Sequence, residues 1–259
     1  MTSSIYVFNC DFEQKLQKVV GMHGRVYSPY KQGAKAMRYY KRLMPTQLTQ
    51  KQLNVTVGLL LSDASMGRNS HTGKVYSFIK FGQERIRKDM VCYYHELMDA
   101  FMSRPPFWQV SKTRLKKDGT YSTSLYTCTL SSPVFAPLAE LFYITYPKKI
   151  NNLWGRKVIK PERYNYLNKE VLAFWFAGDG IKTKDRQGTT VGYLLFTGSF
   201  DRSELDLLIH MCNQKFGFRP RIQINYSNGQ LRLYISKKDA PLFRSLVEPY
   251  LPKCCTYKL

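Results

Sequence analysis

Apolar and small residues dominate two stretches of the chain, Thr56-Val57-Gly58-Leu59-Leu60-Leu61-Ser62-Asp63-Ala64 and Leu172-Ala173-Phe174-Trp175-Phe176-Ala177-Gly178-Asp179-Gly180, which recur 116 positions apart. Each predicts a buried helix closed by one carboxylate and a small residue. Gly58 and Ser62, like Ala173 and Ala177, are four apart and share a helix face on which a second backbone can approach closely. After each helix the pattern becomes that of strands. Val75 to Gly82 follows a turn at His71-Thr72-Gly73-Lys74, and Lys182 to Asp185 with Thr189 to Gly198 forms a hairpin about Asp185-Arg186-Gln187-Gly188. A helical period returns over Gln83 to Met102 and over Arg202 to Phe216. A further hairpin then turns at Asp118-Gly119 and at Asn228-Gly229, dipeptides that tolerate the positive φ of a type I′ turn. Ala136-Pro137-Leu138 answers Ala240-Pro241-Leu242 at the start of a closing helix, and Pro147-Lys148 answers Pro252-Lys253.

The pattern predicts an α/β fold of the α+β kind, in which an αββαββα unit occurs twice with pseudo-twofold symmetry and supplies two antiparallel sheets. The first repeat spans 51–150 and the second 169–259, with 151–168 as a connector rich in Lys, Arg and Asn. Residues 1–50 form a basic N-terminal extension. Its run of Tyr27, Tyr30, Lys31, Lys35, Arg38, Tyr39, Tyr40, Lys41 and Arg42 reads equally well as a nucleic-acid contact or as a solvated basic helix.

Charge narrows the partner. Among 259 residues, 40 Lys and Arg face 18 Asp and Glu, a formal +22 spread along the chain, which points to a polyanion. The 44% hydrophobic content suffices for a core without metal or disulfide staples. No apolar run approaches the ~18 to 20 residues that span a bilayer. Early acids at Asp11 and Glu13 and the lack of an apolar signal core favour a soluble intracellular protein with no membrane partner. The cysteines include no C-x-x-C pair, and His23, His71, His95 and His210 show no ligand spacing, so zinc is not expected. The adjacent Cys254 and Cys255 receive no role.

The chemistry lies where the two apolar helices end. Packed together, they would bring Asp63 and Asp179 to one point, where both helix dipoles are also negative. Such an anion cluster calls for a hard divalent cation, and oxygen ligands suit Mg²⁺. Each Asp alone could be a mere turn residue; the duplication argues for a paired site. The strands supply a reading face. Arg219, Arg221, Gln223 and Asn225 alternate against Ile222 and Ile224, and Gln230, Arg232 and Tyr234 against Leu231, Leu233 and Ile235. Arg suits guanine edges and phosphates, Gln and Asn suit adenine, and the major groove admits a β-ribbon. In the first half the matching candidates are Lys112, Arg114, Lys116, Ser122, Ser124 and Tyr126, joined by Arg68, Lys80, Lys182 and Lys184.

These two nonapeptides, their spacing and the repeated unit resemble the LAGLIDADG homing endonucleases, specifically the single-chain, two-repeat branch encoded in organellar introns. The resemblance covers about residues 50 to 259, with Leu61 standing where an acid is usual and Ala64 where the family has its final glycine. It implies a saddle of two sheets on the DNA major groove, with the paired helices at the central interface. Asp63 and Asp179 would bind Mg²⁺, with the Ala64 and Gly178 backbone carbonyls as candidate further ligands. Mn²⁺ would substitute, and Ca²⁺ would bind without supporting cleavage. Both strands of double-stranded DNA would be hydrolysed by a monomer, leaving short 3′ overhangs. The resemblance also implies a lysine near each scissile phosphate, Lys149 (with Lys148 as its rival) and Lys258. Gln83 would position water beside Arg87 at a helix start, whereas their second-half counterparts are Ser199 and Ser203, so the two sites are expected to be unequal. An intron origin implies a mitochondrion or chloroplast. The competing reading is an RNA maturase or a non-cleaving DNA-binding protein on the same scaffold.

Overall fold

The computed structural model describes residues 42–69, 76–102, 104–115, 119–150 and 153–259. The aromatic and basic run up to Lys41, the turn at 71–74 and Lys116 lie outside the described residues, as do the side chains of Arg68, Lys112, Arg114, Lys148 and Lys149. In chain order the elements are α1 (Gln50–Leu61), β1 (Ser65–Asn69), β2 (Tyr76–Glu84), α2 (Lys88–Leu97), β3 (Phe107–Leu115), β4 (Tyr121–Cys128), α3 (Ala136–Phe142), β5 (Tyr143–Ile150) and β6 (Leu153–Lys157). There follow α4 (Lys169–Asp179), β7 (Gly180–Lys184), β8 (Thr190–Phe196), α5 (Arg202–Phe216), β9 (Arg221–Ile224), β10 (Leu231–Ile235) and α6 (Ala240–Val247). The duplication predicted from the sequence is present: two antiparallel four-stranded sheets run β1-β2-β4-β3 and β7-β8-β10-β9, the same order in each repeat.

Packing divides the chain into two units: Ser65–Phe135 with the segment up to Leu48, and Thr49–Ala64 with Ala136–Leu259. In the first unit, Phe81 meets Tyr94 edge-on at 5.6 Å and Phe101 lies against Phe135 at 5.3 Å, all four fully buried. β2 extends further than the periodicity implied. Gln83 and Glu84 still pair with Leu125 and Ser124 of β4, so the helix begins only at Lys88, after a 3₁₀ turn at Arg85–Arg87. Gln83 and Arg87 are therefore not neighbours on one helix face.

The second unit is built around α4, whose residues Val171 to Gly178 are all buried. Phe176, Tyr193, Phe218 and Phe243 form an aromatic cluster with centroids 5.0 to 5.7 Å apart. Each such ring contributes about 1.5–3 kcal/mol through burial. Both central helices start on capping side chains. Thr49 and Gln52 form a reciprocal box on α1, at 3.2 and 2.9 Å, and Asn168 accepts from the Val171 amide at 2.9 Å on α4. The basic connector is more ordered than its composition suggested: Leu153–Lys157 is a strand pairing with β5, and Pro161–Asn165 a 3₁₀ turn. At the tip of the β9–β10 hairpin, Gly229 takes the left-handed φ of 69°. The loop is longer than a two-residue turn, closing through Asn225 N to Gln230 O at 2.8 Å.

Candidate active site at the paired helix ends

α1 and α4 cross with almost no side chain between them. A Cβ on Gly58 would stand 2.6 Å from Phe174 Cβ and 2.7 Å from the Val171 carbonyl, and one on Gly178 would stand 2.1 Å from Ser62 Oγ. The contacts join each residue to its counterpart in the other repeat: Gly58 to Phe174, Ser62 to Gly178, and Asn54 Nδ2 to Glu170 Oε2 at 2.8 Å, 116 positions apart. A local twofold axis therefore passes between the helices. It corrects one expectation, since the α4 residues nearest Gly58 and Ser62 are Phe174, Val171, Trp175 and Gly178, not Ala173 and Ala177, which are nevertheless fully buried.

The same symmetry brings the acids together. Asp179 is the last residue of α4, while Asp63 follows the Ser62 cap of α1, where φ −114° and ψ −122° end the helix. The two carboxyls hydrogen-bond to each other, and burial first, then the neighbouring Asp63 charge, push the Asp179 carboxyl up to about 8. Two carboxylates this close repel as anions, and a cation held between them relieves that repulsion.

Two lysines close the site from opposite sides. Lys258, 5% exposed, donates to the carbonyls of Phe176 (3.4 Å), Ala177 (2.6 Å) and Gly178 (3.1 Å). Lys157 donates to Ser62 O at 3.0 Å and Ala64 O at 2.8 Å, bracketing Asp63. Ser62 and Gly178 are repeat counterparts, so each ammonium caps the negative end of one central helix. Burial lowers the Lys157 ammonium to about 8, against the opposing pull of Asp179 and Asp63. Lys157 is the residue that sequence reasoning missed. The family resemblance implies Lys149, whose backbone lies on β5, whereas the lysine whose contacts match those of Lys258 is Lys157, at the end of β6. No repeat signal identifies it, because the elements that deliver the two lysines are unlike.

The Ala64 and Gly178 carbonyls, expected as further metal ligands, accept ammonium hydrogen bonds here. Among the described residues no cluster of three or more His, Cys, Asp or Glu could hold a metal. The donor set is thus two carboxylates with nearby backbone oxygens. That suits Mg²⁺, which is commonly held by one or two carboxylates with substrate phosphate and water completing its shell. Gln83, 5% exposed, and Arg87 belong to the other packing unit.

Of the predicted reading face, Arg221 and Gln223 are exposed on β9, paired with Tyr234 and Arg232 on β10, so the four form one polar patch. Tyr234 Oη donates to Val191 O at 3.0 Å, and Arg232 lies 5.6 Å above Phe196. Arg219, just before β9, and Lys184, on the far edge strand β7, are also exposed. Asn225 and Gln230 lie in the loop, where their side-chain oxygens accept from Ser227 and Asn228. Lys182 departs from the pattern: it pairs opposite buried Tyr193, and its ammonium donates to the Leu259 carbonyl at 3.0 Å. In the first unit, Lys80 sits 4.3 Å over Tyr126, which stacks on Phe107. Ser124 is half-buried, and Ser122 is buried and donates to Glu84 at 3.3 Å.

Comparison with known proteins places this geometry. Residues 53–243 match the model of the LAGLIDADG DNA endonuclease family. The chain is 27% identical over 231 residues, 87% of its length and 90% of the other's, to the Probable intron-encoded endonuclease 1 of Wickerhamomyces canadensis. It is 26% identical over 82% of its length to the cytochrome b mRNA maturase bI2 of Saccharomyces cerevisiae, of which it spans about half (48%). Among solved structures, the homing endonuclease I-WcaI bound to its DNA recognition sequence matches with a TM-score of 0.74 and 25% identity, covering 89% of this chain and 94% of that one. The chain accordingly belongs to the LAGLIDADG DNA endonuclease family, whose match spans both helices that end at Asp63 and Asp179.

Proposed function

We propose that this chain, as a monomer, recognises a long asymmetric duplex and hydrolyses both strands with Mg²⁺ at a centre formed by Asp63 and Asp179. The observation that carries the reading is the carboxyl pair itself: two acids hydrogen-bonded to each other at the crossing of two helix ends, flanked by Lys157 and Lys258. Asp63 and Asp179 would hold the cation, which would supply Lewis acidity toward the attacking water and the departing 3′ oxygen. Lys157 and Lys258 stand beside the carboxylates and compensate charge that builds on a phosphate. The polar patch of Arg221, Gln223, Arg232 and Tyr234 meets base edges in the major groove, and the +22 surplus binds the backbone. Both acids come from one chain, so a second copy is not needed. Short 3′ overhangs and an organellar site of action belong to the same proposal. Among the described residues no helix is long and apolar enough to cross a membrane.

The likeness to a maturase supports a second reading, in which the scaffold assists intron RNA. One experiment separates them. Randomised duplex DNA is incubated with the protein and Mg²⁺, and cut ends are sequenced and recloned. Defined linearisation in Mg²⁺, binding without cutting in Ca²⁺, and loss of double-strand cutting in Asp63→Asn and Asp179→Asn with binding retained are expected. Tight RNA binding with no cut duplex under any divalent ion selects the maturase.

A further inference from the structure

Lys157 and Lys258 reach corresponding carbonyls but are held in different ways. Lys258 ends the 3₁₀ turn Lys253–Lys258, in which it and Cys255 are buried, and its ammonium reaches the last carbonyls of α4. Lys157 ends β6, and a lysine stem has many rotamers, so its backbone must be fixed for the ammonium to sit where it does. That fixing comes from the start of α5. Arg156 Nη1 donates to Glu204 Oε1 at 3.2 Å and Oε2 at 3.1 Å, and to the Lys157 carbonyl at 3.3 Å, while Nη2 donates to Asp201 Oδ2 at 2.8 Å. On the other side of Lys157, the Ile159 amide donates to Glu204 Oε1 at 3.0 Å. Glu204 is 7% exposed and also accepts from the Asp201 amide at 2.6 Å.

Capping α5 alone does not call for this arrangement, because a Gln at the Glu204 position would satisfy the Asp201 amide equally well. A buried carboxylate that accepts one guanidinium nitrogen on both its oxygens, and two amides besides, adds little net stability after desolvation, but it fixes direction. The direction fixed is that of the strand end bearing Lys157.

We propose that Arg156, Glu204 and Asp201 form a clamp that positions Lys157 and thereby sets the rate at which one of the two DNA strands is cut, leaving the other, attended by Lys258, unaffected. The proposal rests on the nuclease reading of the site. Arg156, Glu204 and Asp201 are positioning residues, acting through Lys157.

The test is strand-resolved cleavage in Mg²⁺ of a duplex recovered by cleavage selection from randomised DNA, each strand labelled separately. Lys157→Met is expected to slow one strand and Lys258→Met the other. Arg156→Met and Glu204→Gln should slow the same strand as Lys157→Met by about tenfold or more, with the opposite strand within about twofold, since small misplacement of a catalytic group is enough to produce such losses. Nicked product should accumulate while duplex affinity is retained. Arg156 is part-exposed, with 37% of its side chain accessible, so its truncation keeps the test valid if Glu204→Gln fails to fold. Equal slowing of both strands by Arg156→Met, or none, while Lys157→Met remains strand-biased, overturns the clamp and leaves the site reading intact. Lys157→Met without strand bias overturns the clamp together with the role of Lys157, and undiminished cutting by Asp179→Asn overturns the nuclease site itself.

Discussion

At the scale of single residues, space and charge decide different things. Gly58 lies where any side chain would press on the α4 backbone, 2.7 Å from the Val171 carbonyl and 2.6 Å from Phe174 Cβ. Gly58→Ala gains roughly 1 kcal/mol of helix propensity. It should nevertheless lose about 1–3 kcal/mol through overpacking, so a net drop in denaturant midpoint is expected, and an unchanged midpoint would contradict the close crossing. Arg221, exposed on the second sheet, tests the reading face. Arg221→Ala should cost about 1–3 kcal/mol at one base pair and relax the sequence preference there if it reads a base. If it contacts phosphate instead, affinity should fall evenly and the logarithmic salt slope should decrease by about 1. Binding titrations on target and scrambled duplexes at several salt concentrations distinguish the two.

At the scale of elements, α2 carries a pH dependence of its own. His95 is 6% exposed, shares a 2.9 Å hydrogen bond with Thr127 of β4, and is driven down to about 4 by burial, against the pull of Asp99. A histidine whose folded pKa is depressed contributes stability that is fully present above its unfolded value near 6.5 and lost as pH falls through the folded value. The unfolded chain takes up a proton that the folded one refuses. Stability should therefore decline by about 3 kcal/mol between pH 6.5 and 4 on account of this residue, and His95→Gln should flatten that part of the profile in urea titrations run across the range. The helix boundary near it shows why elements are hard to delimit from sequence. Gln83 and Glu84 stand four and three positions before Arg87 and fit a helical period, yet they remain strand because β4 offers Leu125 and Ser124 as partners.

At the scale of the molecule, the site draws both carboxylates from one polypeptide, and this has a direct consequence. Mixing Asp63→Asn protein with Asp179→Asn protein should restore no double-strand cutting, because each molecule still lacks one acid. Complementation on mixing, assayed by linearisation of a plasmid bearing the selected target, would show that two copies build the site. Net charge acts at the same scale: a surplus of +22 makes duplex affinity fall steeply with salt whichever sequence is bound. Sequence preference then has to come from the sheets.

The sequence by itself determined the duplication, the order of elements in each repeat, the two central helices and their terminal acids, and the basic surplus. These are local periods, turn residues and compositions that any fold built from this chain must respect. Tertiary structure decided what depends on contacts between distant segments. It selected Phe174 and Gly178 rather than Ala173 and Ala177 as the close partners of Gly58 and Ser62, because register is fixed by the packing of whole helices. It turned Lys182 away from the polar patch through strand pairing, and brought the Lys157 ammonium to the end of α1, a contact that no local pattern announces. The raised pKa of the Asp179 carboxyl belongs to the same class: burial and the proximity of a second carboxylate create it, and neither exists until the two helices have met.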